Sequence, residues 1–477
     1  MSNGSTTQIN SYLPKWASGF ALALLVAAVA LLVGIAIGVG TEKLIYLVVL
    51  VAIPLALKWP VEVALGSVAL VFPFDSILIA VKNGSGSGTF TVTWFVSVGA
   101  GALLMARIVS GVRQSPPFVA RLWILLIAWG TTTTLWAVDS SVALKRLPMA
   151  WSLLILYLVA VNSRVTKKQL NVIITLAVLG GLSAALWASW AYFSGNSWSN
   201  TGRASIALDT NEADPNYFAA MLLVPLSLAI GMFRSTRSRL LKALMVLSIA
   251  MAALSIFLTM SRGALVALTL MGGVYVYRLG LRLRTLAGIA VVLAVLAMFA
   301  PPTFWQRLRP ETLSTGAGRT NIWAAGSQML KHHFILGVGL SNFPVAYNAY
   351  AGAGPKFQGY QRDSHNSYLN VLAEQGAIGL MLFFVALFYQ FRLLRAGPSR
   401  VRAPAMLVVS CEAALVAVLG AGFFLDLLFS KFVWFLLILC TLISRTEWNN
   451  EAPSPGPFAE RKPSTIETVL SDPIFTR

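Results

Sequence analysis

Residues 239–280 read RLLKALMVLSIAMAALSIFLTMSRGALVALTLMGGVYVYRLG. Two apolar runs, 239–259 and 263–280, are separated by a short polar break at Ser261-Arg262. A helix rises about 1.5 Å per residue, so each run is long enough to span a hydrocarbon layer of about 30 Å. The stretch therefore predicts two consecutive transmembrane helices, the second of which begins at Arg262.

The same pattern recurs along the 477-residue chain, which is 57% hydrophobic and 11% charged with a mean hydropathy of +0.74. Soluble globular proteins carry about 25% charged residues, so a soluble fold is excluded. Strands of a transmembrane barrel would alternate over about ten residues, which these continuous runs do not. We expect an all-α, polytopic helical membrane protein.

Fourteen candidate spans account for most of the chain. A tight turn at Lys58-Trp59-Pro60 leaves a re-entrant pair, and hence twelve spans, as an alternative. The candidate spans are 16–39, 43–57, 61–80, 91–112, 118–137, 143–161, 169–193, 216–233, 239–259, 263–280, 284–300, 366–391, 403–425 and 428–445.

The net charge of +19 reflects membrane topology. It does not indicate nucleic-acid binding, because no nucleic-acid-binding motif is present. Lys and Arg in short loops resist translocation and mark the cytoplasmic side. Five acid-free clusters hold 17 of the 36 basic residues, and alternate spans place all five on the side of the N-terminus: Arg107/Arg113/Arg121, Arg164/Lys167/Lys168, Arg234/Arg237/Arg239/Lys242, Arg278/Arg282/Arg284 and Arg392/Arg395/Arg400/Arg402.

These assignments predict the domain organisation: a cytoplasmic N-terminus, a helix bundle, a large external loop, C-terminal spans and a disordered, proline-rich cytoplasmic tail. The boundaries are 1–15, 16–300, 301–365, 366–445 and 446–477. Cys411 and Cys440 both fall in apolar segments, so neither a disulfide nor a cysteine-bound metal is expected.

The large loop is predicted to contain one helix, from Arg319 to about His333. Ile322, Ala325 and Met329 form an apolar stripe at helical spacing, which suggests that the helix lies on the membrane surface. An aromatic-rich stretch follows and contains Phe343, Tyr347, Tyr350, Phe357 and Tyr360. It could stack on sugar rings, although simple packing of the loop accounts better for most of its members.

His365 is the leading candidate for a catalytic base. It lies between the large loop and a span, where an imidazole is partly desolvated yet reaches water. A histidine that only packs at the helix start is the alternative. Glu374 is nine residues further on and faces the other side of that helix, so any partner of His365 must come from another segment.

Four other ionisable residues are expected at the external face. Arg262 begins a span, and Arg319 begins the loop helix after Gly316-Ala317-Gly318, where helix amides and a guanidinium together suit a phosphate. Arg362 precedes His365. Asp426, among apolar residues, is costly without a partner, so Lys431 or an arginine is expected to neutralise it.

Asp209, Glu212 and Asp214 form a competing site that could hold Mg²⁺ or Mn²⁺. The favoured reading is that Asp214-Pro215-Asn216 is a turn that caps the next span. No nucleotide-binding fingerprint is present.

The order of several motifs resembles the O-antigen ligase and O-antigen polymerase superfamily, and an O-antigen ligase most of all. The motifs are Thr-Met-Ser-Arg262-Gly-Ala, Gly-Arg319-Thr-Asn-Ile-Trp, Gly-Val-Gly-Leu-Ser-Asn-Phe at 337–343 and the segment from His365-Asn-Ser-Tyr through Glu374-Gln-Gly to Gly379. The resemblance covers about residues 210–440, and nothing in the first 200 residues contributes to it.

The resemblance implies a GT-C type glycosyltransferase that uses undecaprenyl diphosphate-linked glycan on the periplasmic face of a bacterial inner membrane. It implies that Arg262 and Arg319 contact the diphosphate, that His365 activates the acceptor hydroxyl and that Asp426 and Arg362 support the site. The expected acceptor is lipid A-core oligosaccharide, with surrounding membrane lipids and without nucleotide, cofactor or metal. A polymerase, a protein glycan ligase and, outside the family, a polyprenyl-linked sugar transporter remain alternatives.

Overall fold

The computed structural model describes residues 58–82, 89–195, 202–208, 211–280, 305–306, 318–354, 356–395 and 405–446. The all-α class predicted from composition is confirmed. The helices, numbered over the described residues, are α1 Pro60–Val71, α2 Val92–Val109, α3 Phe118–Thr132, α4 Ser140–Asn162, α5 Lys167–Phe193, α6 Pro215–Ser235, α7 Arg239–Leu258, α8 Arg262–Leu279, α9 Arg319–His333, α10 Phe343–Tyr350, α11 Ser367–Arg395, α12 Ala405–Ala421 and α13 Lys431–Arg445.

Two short antiparallel hairpins interrupt the helices. The first pairs β1 Ile79–Lys82 with β2 Thr89–Thr91, and the second pairs β3 Ala207–Leu208 with β4 Asn211–Glu212. Both are connectors, and neither forms a sheet layer.

Seven of the described helices are long and apolar enough to cross a membrane: α2, α3 with its short extension to Leu135, α4, α5, α6, α7 and α11. The protein is therefore a multi-pass membrane protein. The expected spans 16–39, 43–57 and 284–300, like the predicted tail beyond Thr446, lie outside the described residues.

The predicted span 61–80 is wrong in its second half. Helix α1 ends at Val71, a single 3₁₀ turn covers Phe72–Phe74, and the chain then turns into β1. Pro73 lacks the amide hydrogen that a continuing helix needs. The early end places Asp75 in a turn, where its carboxylate accepts a hydrogen bond from Lys431 at 2.5 Å.

Helices α6, α8 and α12 pack together through a buried hydrogen-bond network. The Ser227 hydroxyl donates to the Ser410 carbonyl at 2.7 Å, and the Tyr275 hydroxyl donates to the Ser410 hydroxyl at 2.9 Å. Buried polar groups in a membrane bundle have no water to bond, so such a network stabilises one relative position of the helices. These three helices carry much of the candidate site at one end.

The loop helix α9 has the predicted bounds, but its apolar stripe has a different partner. Ile322, Ala325 and Met329 are buried in a small second core with Phe343 and Tyr347 of α10, next to α11. The stripe therefore packs within the protein instead of facing lipid. Sequence periodicity shows that one face is buried, but it does not show against what.

Helix α11 is broken at Gly376, whose φ of 68° and ψ of −173° are not helical. The break leaves backbone groups of α11 without hydrogen bonds inside the helix, and residues 334–339 supply their partners. Val338 donates to the Ala373 carbonyl at 2.8 Å, and Ala377 donates to the Phe334 carbonyl at 2.8 Å. The loop is thereby fastened to the helix that begins beside His365.

Glu374 completes this attachment. Its buried carboxylate accepts the amides of Ser341 at 2.7 Å and Phe343 at 3.2 Å, at the start of α10. An anion beside helix N-terminal amides is favourable in charge and in hydrogen bonding. The Gly-Val-Gly and Glu-Gln-Gly motifs therefore have a structural role, and Glu374 does not orient His365.

Replacing Gly376 by Ala is expected to lower the thermal unfolding midpoint. A Cβ there would lie 2.0 Å from the Ile335 carbonyl oxygen, and the backbone conformation is one that costs other residues about 1–3 kcal/mol. Gly273→Ala is the matched control, since its Cβ would meet nothing within 4 Å. Equal midpoints for the two variants in detergent would contradict this account of the break.

Candidate active site

The candidate site lies where α6, α8 and α11 begin and where α7 and α12 end, which we call the site end of the bundle. The turn between α7 and α8 has Met260 at a φ of 51°, and the Ser261 hydroxyl caps α8 by accepting the Ala264 amide at 3.4 Å. Arg262 follows as the first residue of α8 and is partly exposed. The prediction that a helix begins at Arg262 is confirmed, although α8 is not one of the seven helices long and apolar enough to cross a membrane.

Arg203 is a residue of this site that the sequence reasoning missed. Its side chain is only 5% exposed, and it donates to the Thr259 carbonyl at 2.6 Å and to the Asn216 amide oxygen at 2.7 Å. It therefore joins the segment before β3 to the start of α6 and the end of α7. The argument that singled out Arg262, a cation on the side where cations are rare, applies equally to Arg203.

Arg319 reaches the same place from the large loop. Gly318, at a φ of 84°, precedes it and turns the chain into α9. Arg319 lines a small crevice together with Asn216, Ser261, Gly263 and Phe424. The structure thus brings the loop helix arginine next to the Ser-Arg-Gly turn, although 57 residues separate the two arginines in the sequence.

His365 lies in a sharp turn immediately before α11, with a φ of 46°. The preceding carbonyl, of Ser364, accepts the Trp323 indole of α9 at 2.9 Å. On the other side, the Asn366 side chain caps α11 by accepting the amides of Tyr368 and Leu369 at 3.0 Å each. Two anchored neighbours hold the His365 backbone, while its side chain stays exposed to solvent.

The surroundings of His365 favour the neutral imidazole. Partial burial lowers the pKa of His365, and the nearby Arg319 guanidinium lowers it further. Asp363 and Asp214 raise this pKa, and Arg362 lowers it slightly. A neutral imidazole near pH 7 can accept a proton, so the environment suits a general base.

Arg362 is held at the edge of this group. Its side chain is exposed and donates to the Gln358 carbonyl at 2.6 Å. Arg362 acts on the pKa of His365 through its charge, and it is not among the residues that line the crevice. Phe357 and Tyr360, just before it, form an exposed edge-to-face pair with ring centroids 5.1 Å apart.

Asp426 lies behind the turn that carries His365. Its carboxylate accepts the Asn370 amide at 3.3 Å, and Ser367 of α11 donates to the Leu425 carbonyl at 2.7 Å. The expectation that Lys431 neutralises Asp426 is wrong, because Lys431 pairs with Asp75. The alternative expectation is an arginine, and the positive charge of Arg146 does act on the Asp426 carboxylate.

Burial raises the pKa of Asp426, and the positive charge of Arg146 on α4 opposes this effect. One carboxylate oxygen of Asp426 is buried without a hydrogen-bond partner among the described residues. The residue therefore keeps acceptor capacity beneath the His365 turn.

The acidic cluster has the structural role that the sequence favoured for Asp214. This side chain caps α6 by accepting the amides of Asn216 at 2.8 Å and Tyr217 at 3.0 Å. Asp209 lies outside the described residues, and so does the side chain of Glu212. Within the part of the chain that the structure describes, no group of three or more His, Cys, Asp or Glu side chains could hold a metal ion.

The fold and the site together define a multi-pass membrane protein with a crevice at one end of its bundle, which Arg319 lines while its charge acts on His365. Residues 247–384 match the family model of the O-antigen ligases. This match confirms the resemblance in the motifs: that part of the chain is similar to the O-antigen ligases. No curated protein matches the chain.

The matched segment contains Arg262, Arg319, Arg362 and His365, and it ends within α11. Arg203, Asn216 and Asp426 lie outside it, yet they contact or support the same turns. The site is thus built partly from sequence that the family model does not cover.

Proposed function

We propose that the protein is a lipid-linked oligosaccharide glycosyltransferase, an O-antigen ligase that moves a glycan from undecaprenyl diphosphate to a sugar hydroxyl of lipid A-core oligosaccharide. The observation that carries the proposal is that Arg319, which lines the crevice at the beginning of α8, lies close enough to His365 to act on its pKa. This transfer needs a base that accepts the proton of the acceptor hydroxyl and, close to it, a cation that binds the leaving diphosphate.

In the proposed reaction, His365 accepts the proton of the acceptor hydroxyl as its oxygen attacks the anomeric carbon. The bond from that carbon to the diphosphate oxygen breaks, and the electron pair leaves with the diphosphate. Arg319 and Arg262 stabilise the developing negative charge. Attack opposite the leaving group inverts the configuration at the anomeric carbon, and the diphosphate donor is already activated, so no nucleotide is required.

Other parts of the site support this chemistry. Arg203 holds the turn before Arg262, and Asn370 with Asp426 holds the start of α11. The exposed Phe357 and Tyr360 rings offer apolar faces on which sugar rings can stack. We propose that Phe343 and Tyr347, which are buried, contribute packing only.

We further propose a bacterial inner membrane location, with the site end on the periplasmic side and both termini in the cytoplasm. The support comes from charge. The far ends of the helices carry Arg107, Lys167, Arg234 and Arg395, in agreement with the rule that basic residues remain inside.

A transporter is disfavoured by the acids within the helices. A transport path needs ionisable groups that are available to a moving substrate. Glu412 is paired with Arg395 and Arg278, and Glu62 accepts a hydrogen bond from Gln169 at 3.3 Å. Both carboxylates are thus engaged in contacts between helices.

Reconstitution of the purified chain tests the proposal. Vesicles with undecaprenyl diphosphate-linked glycan and lipid A-core should yield glycan attached to lipid A-core. Elongated donor without an added acceptor would indicate a polymerase instead, and transfer to an acceptor peptide would indicate a protein ligase. Movement of the lipid-linked sugar across the vesicle membrane without any transfer would overturn the enzyme assignment.

Transfer is expected to continue at an unchanged rate in EDTA, because arginines rather than a metal ion meet the leaving-group charge. The rate of product formation, measured with and without chelator, checks this prediction. Loss of activity that Mg²⁺ or Mn²⁺ restores would contradict it and would make Asp209, Glu212 and Asp214 metal ligands.

The rate should also fall at acidic pH, as His365 becomes protonated. Since the pKa of His365 is lowered, the midpoint of the fall should lie below the ordinary histidine value of about 6.5. Arg362→Gln removes a charge that lowers this pKa, so its acid limb should move to higher pH. Asp363→Asn removes a charge that raises it, so its limb should move to lower pH.

The two variants form a matched pair, since both side chains are exposed and adjacent in sequence. The measurement is kcat as a function of pH at saturating donor. Acid limbs that stay in place in both variants, or that move in the same direction, would show that another group titrates.

A further inference from the structure

A second cavity lies at the end of the bundle opposite the site end. It has a volume of about 400 Å³ and is bounded by the beginning of α5, the end of α6 and the beginning of α12. Helix α6 has 21 residues, so it carries the chain roughly 30 Å from the site end to this cavity. That distance equals one hydrocarbon thickness, and the two sites therefore face different leaflets.

The charged residues of this cavity are both cations. Lys167 and Arg237 line it, and no acidic residue does so among the described residues. The ion pairs found within the described ranges involve Arg278, Arg395 and Lys431 instead. Both cavity cations are exposed, so an anion can reach them from the membrane surface.

The acid that α5 contacts belongs to α1 and lies on another face of α5. Glu62 is bonded to Gln169, which is two residues after Lys167 and thus about 200° around the helix. Asn171, one turn after Lys167, lies on the same face as the cation and also lines the cavity. The Asn171 side chain adds a hydrogen-bond donor below the charge of Lys167.

The remaining walls are largely apolar. The apolar residues that line the cavity are Val172, Met232, Leu241 and Leu407, and Met232 and Leu407 are buried. Three hydroxyl residues also line it: Thr175, Ser235 and Thr236. A free phosphate would gain nothing from the apolar part of these walls. An amphiphile with an anionic head and an acyl chain would use both parts.

The geometry points to a binding site for one anionic phospholipid in the leaflet opposite the candidate active site. We propose that the phosphodiester lies between Lys167 and Arg237, with Asn171 donating to a phosphate oxygen. The beginning of an acyl chain then lies along Val172 and Leu241, which are partly exposed. Basic pockets between transmembrane helices bind lipid headgroups in this way.

The test measures lipid retained by the purified full chain in neutral detergent, by native mass spectrometry. Phosphatidylglycerol is titrated against phosphatidylcholine. The wild type should bind phosphatidylglycerol more tightly, and the double variant Lys167→Gln/Arg237→Gln should bind it roughly 30-fold more weakly, because each cation contributes about a fivefold effect. Arg237→Gln alone should weaken binding about fivefold, which covers the case in which the double variant fails to fold.

The double variant Lys168→Gln/Arg239→Gln is the matched control. It removes the same charge from the same end of the bundle, at exposed positions that do not line the cavity. Retained affinity in this control supports a site. An equal loss in both double variants, no preference of the wild type for phosphatidylglycerol, or displacement of the lipid by millimolar inorganic phosphate would overturn the proposal.

Discussion

His365→Ala is expected to reduce the rate of glycan transfer by about 10²–10⁴-fold, the usual contribution of a general base. The imidazole is exposed at the turn before α11, and its pKa is lowered by partial burial and by Arg319. Binding of the lipid-linked donor should persist, because Arg262 and Arg319 are unchanged. Single-turnover rates and donor binding, measured on the same preparation, separate the two quantities.

His365→Gln is the decisive control for this prediction. Glutamine can keep a hydrogen bond to the acceptor hydroxyl, but its amide cannot accept a proton near neutral pH. The proposed mechanism requires that the Gln variant be as impaired as the Ala variant. Transfer by His365→Gln at close to the wild-type rate would mean that the residue positions the acceptor and that the base lies elsewhere.

Arg319→Ala should lower kcat by about 10²–10³-fold, the effect of removing one donor that stabilises charge developing in the transition state. Arg319 lines the crevice beside Ser261 and Gly263, where a diphosphate would meet both the guanidinium and the beginning of α8. Arg319→Lys and Arg262→Lys should also be strongly impaired, because an ammonium keeps the charge but loses the planar, bidentate fork.

Arg164→Ala provides the matched control for these variants. Arg164 is an exposed arginine at the opposite end of the bundle, next to the beginning of α5. Its replacement should leave transfer unchanged. Near-normal kcat for both Arg262→Lys and Arg319→Lys would indicate that these arginines serve topology and not the leaving group.

Arg203 shows how a sequence analysis based on motifs can miss a residue of the site. The residue stands alone in a polar loop, and no apolar periodicity or motif draws attention to it. Only in the folded chain does its guanidinium reach the Thr259 carbonyl and Asn216. Its contacts lie 13 and 56 residues away along the chain.

Asp426 and Lys431 show that sequence spacing is also a poor guide to which charged residues pair. Their spacing suggested a pair, but Lys431 begins α13 and its ammonium turns to Asp75, 356 residues away. The early end of α1 places Asp75 there, and a proline causes that end. Choice of an ionic partner depends on distances across the bundle, which local spacing does not report.

The sequence by itself determined the class of fold, the seven described helices long enough to cross a membrane, the bounds of α9 and the cap at Asp214. Hydropathy, helical period and capping chemistry are properties of neighbouring residues, so a single chain segment carries them. The tertiary structure alone decided that α9 packs on α10, that α11 breaks at Gly376 against the loop and that Arg203 and Arg319 approach the Ser-Arg-Gly turn. These features depend on backbone groups and charges that meet only when distant segments pack, because each needs a partner that its own segment lacks.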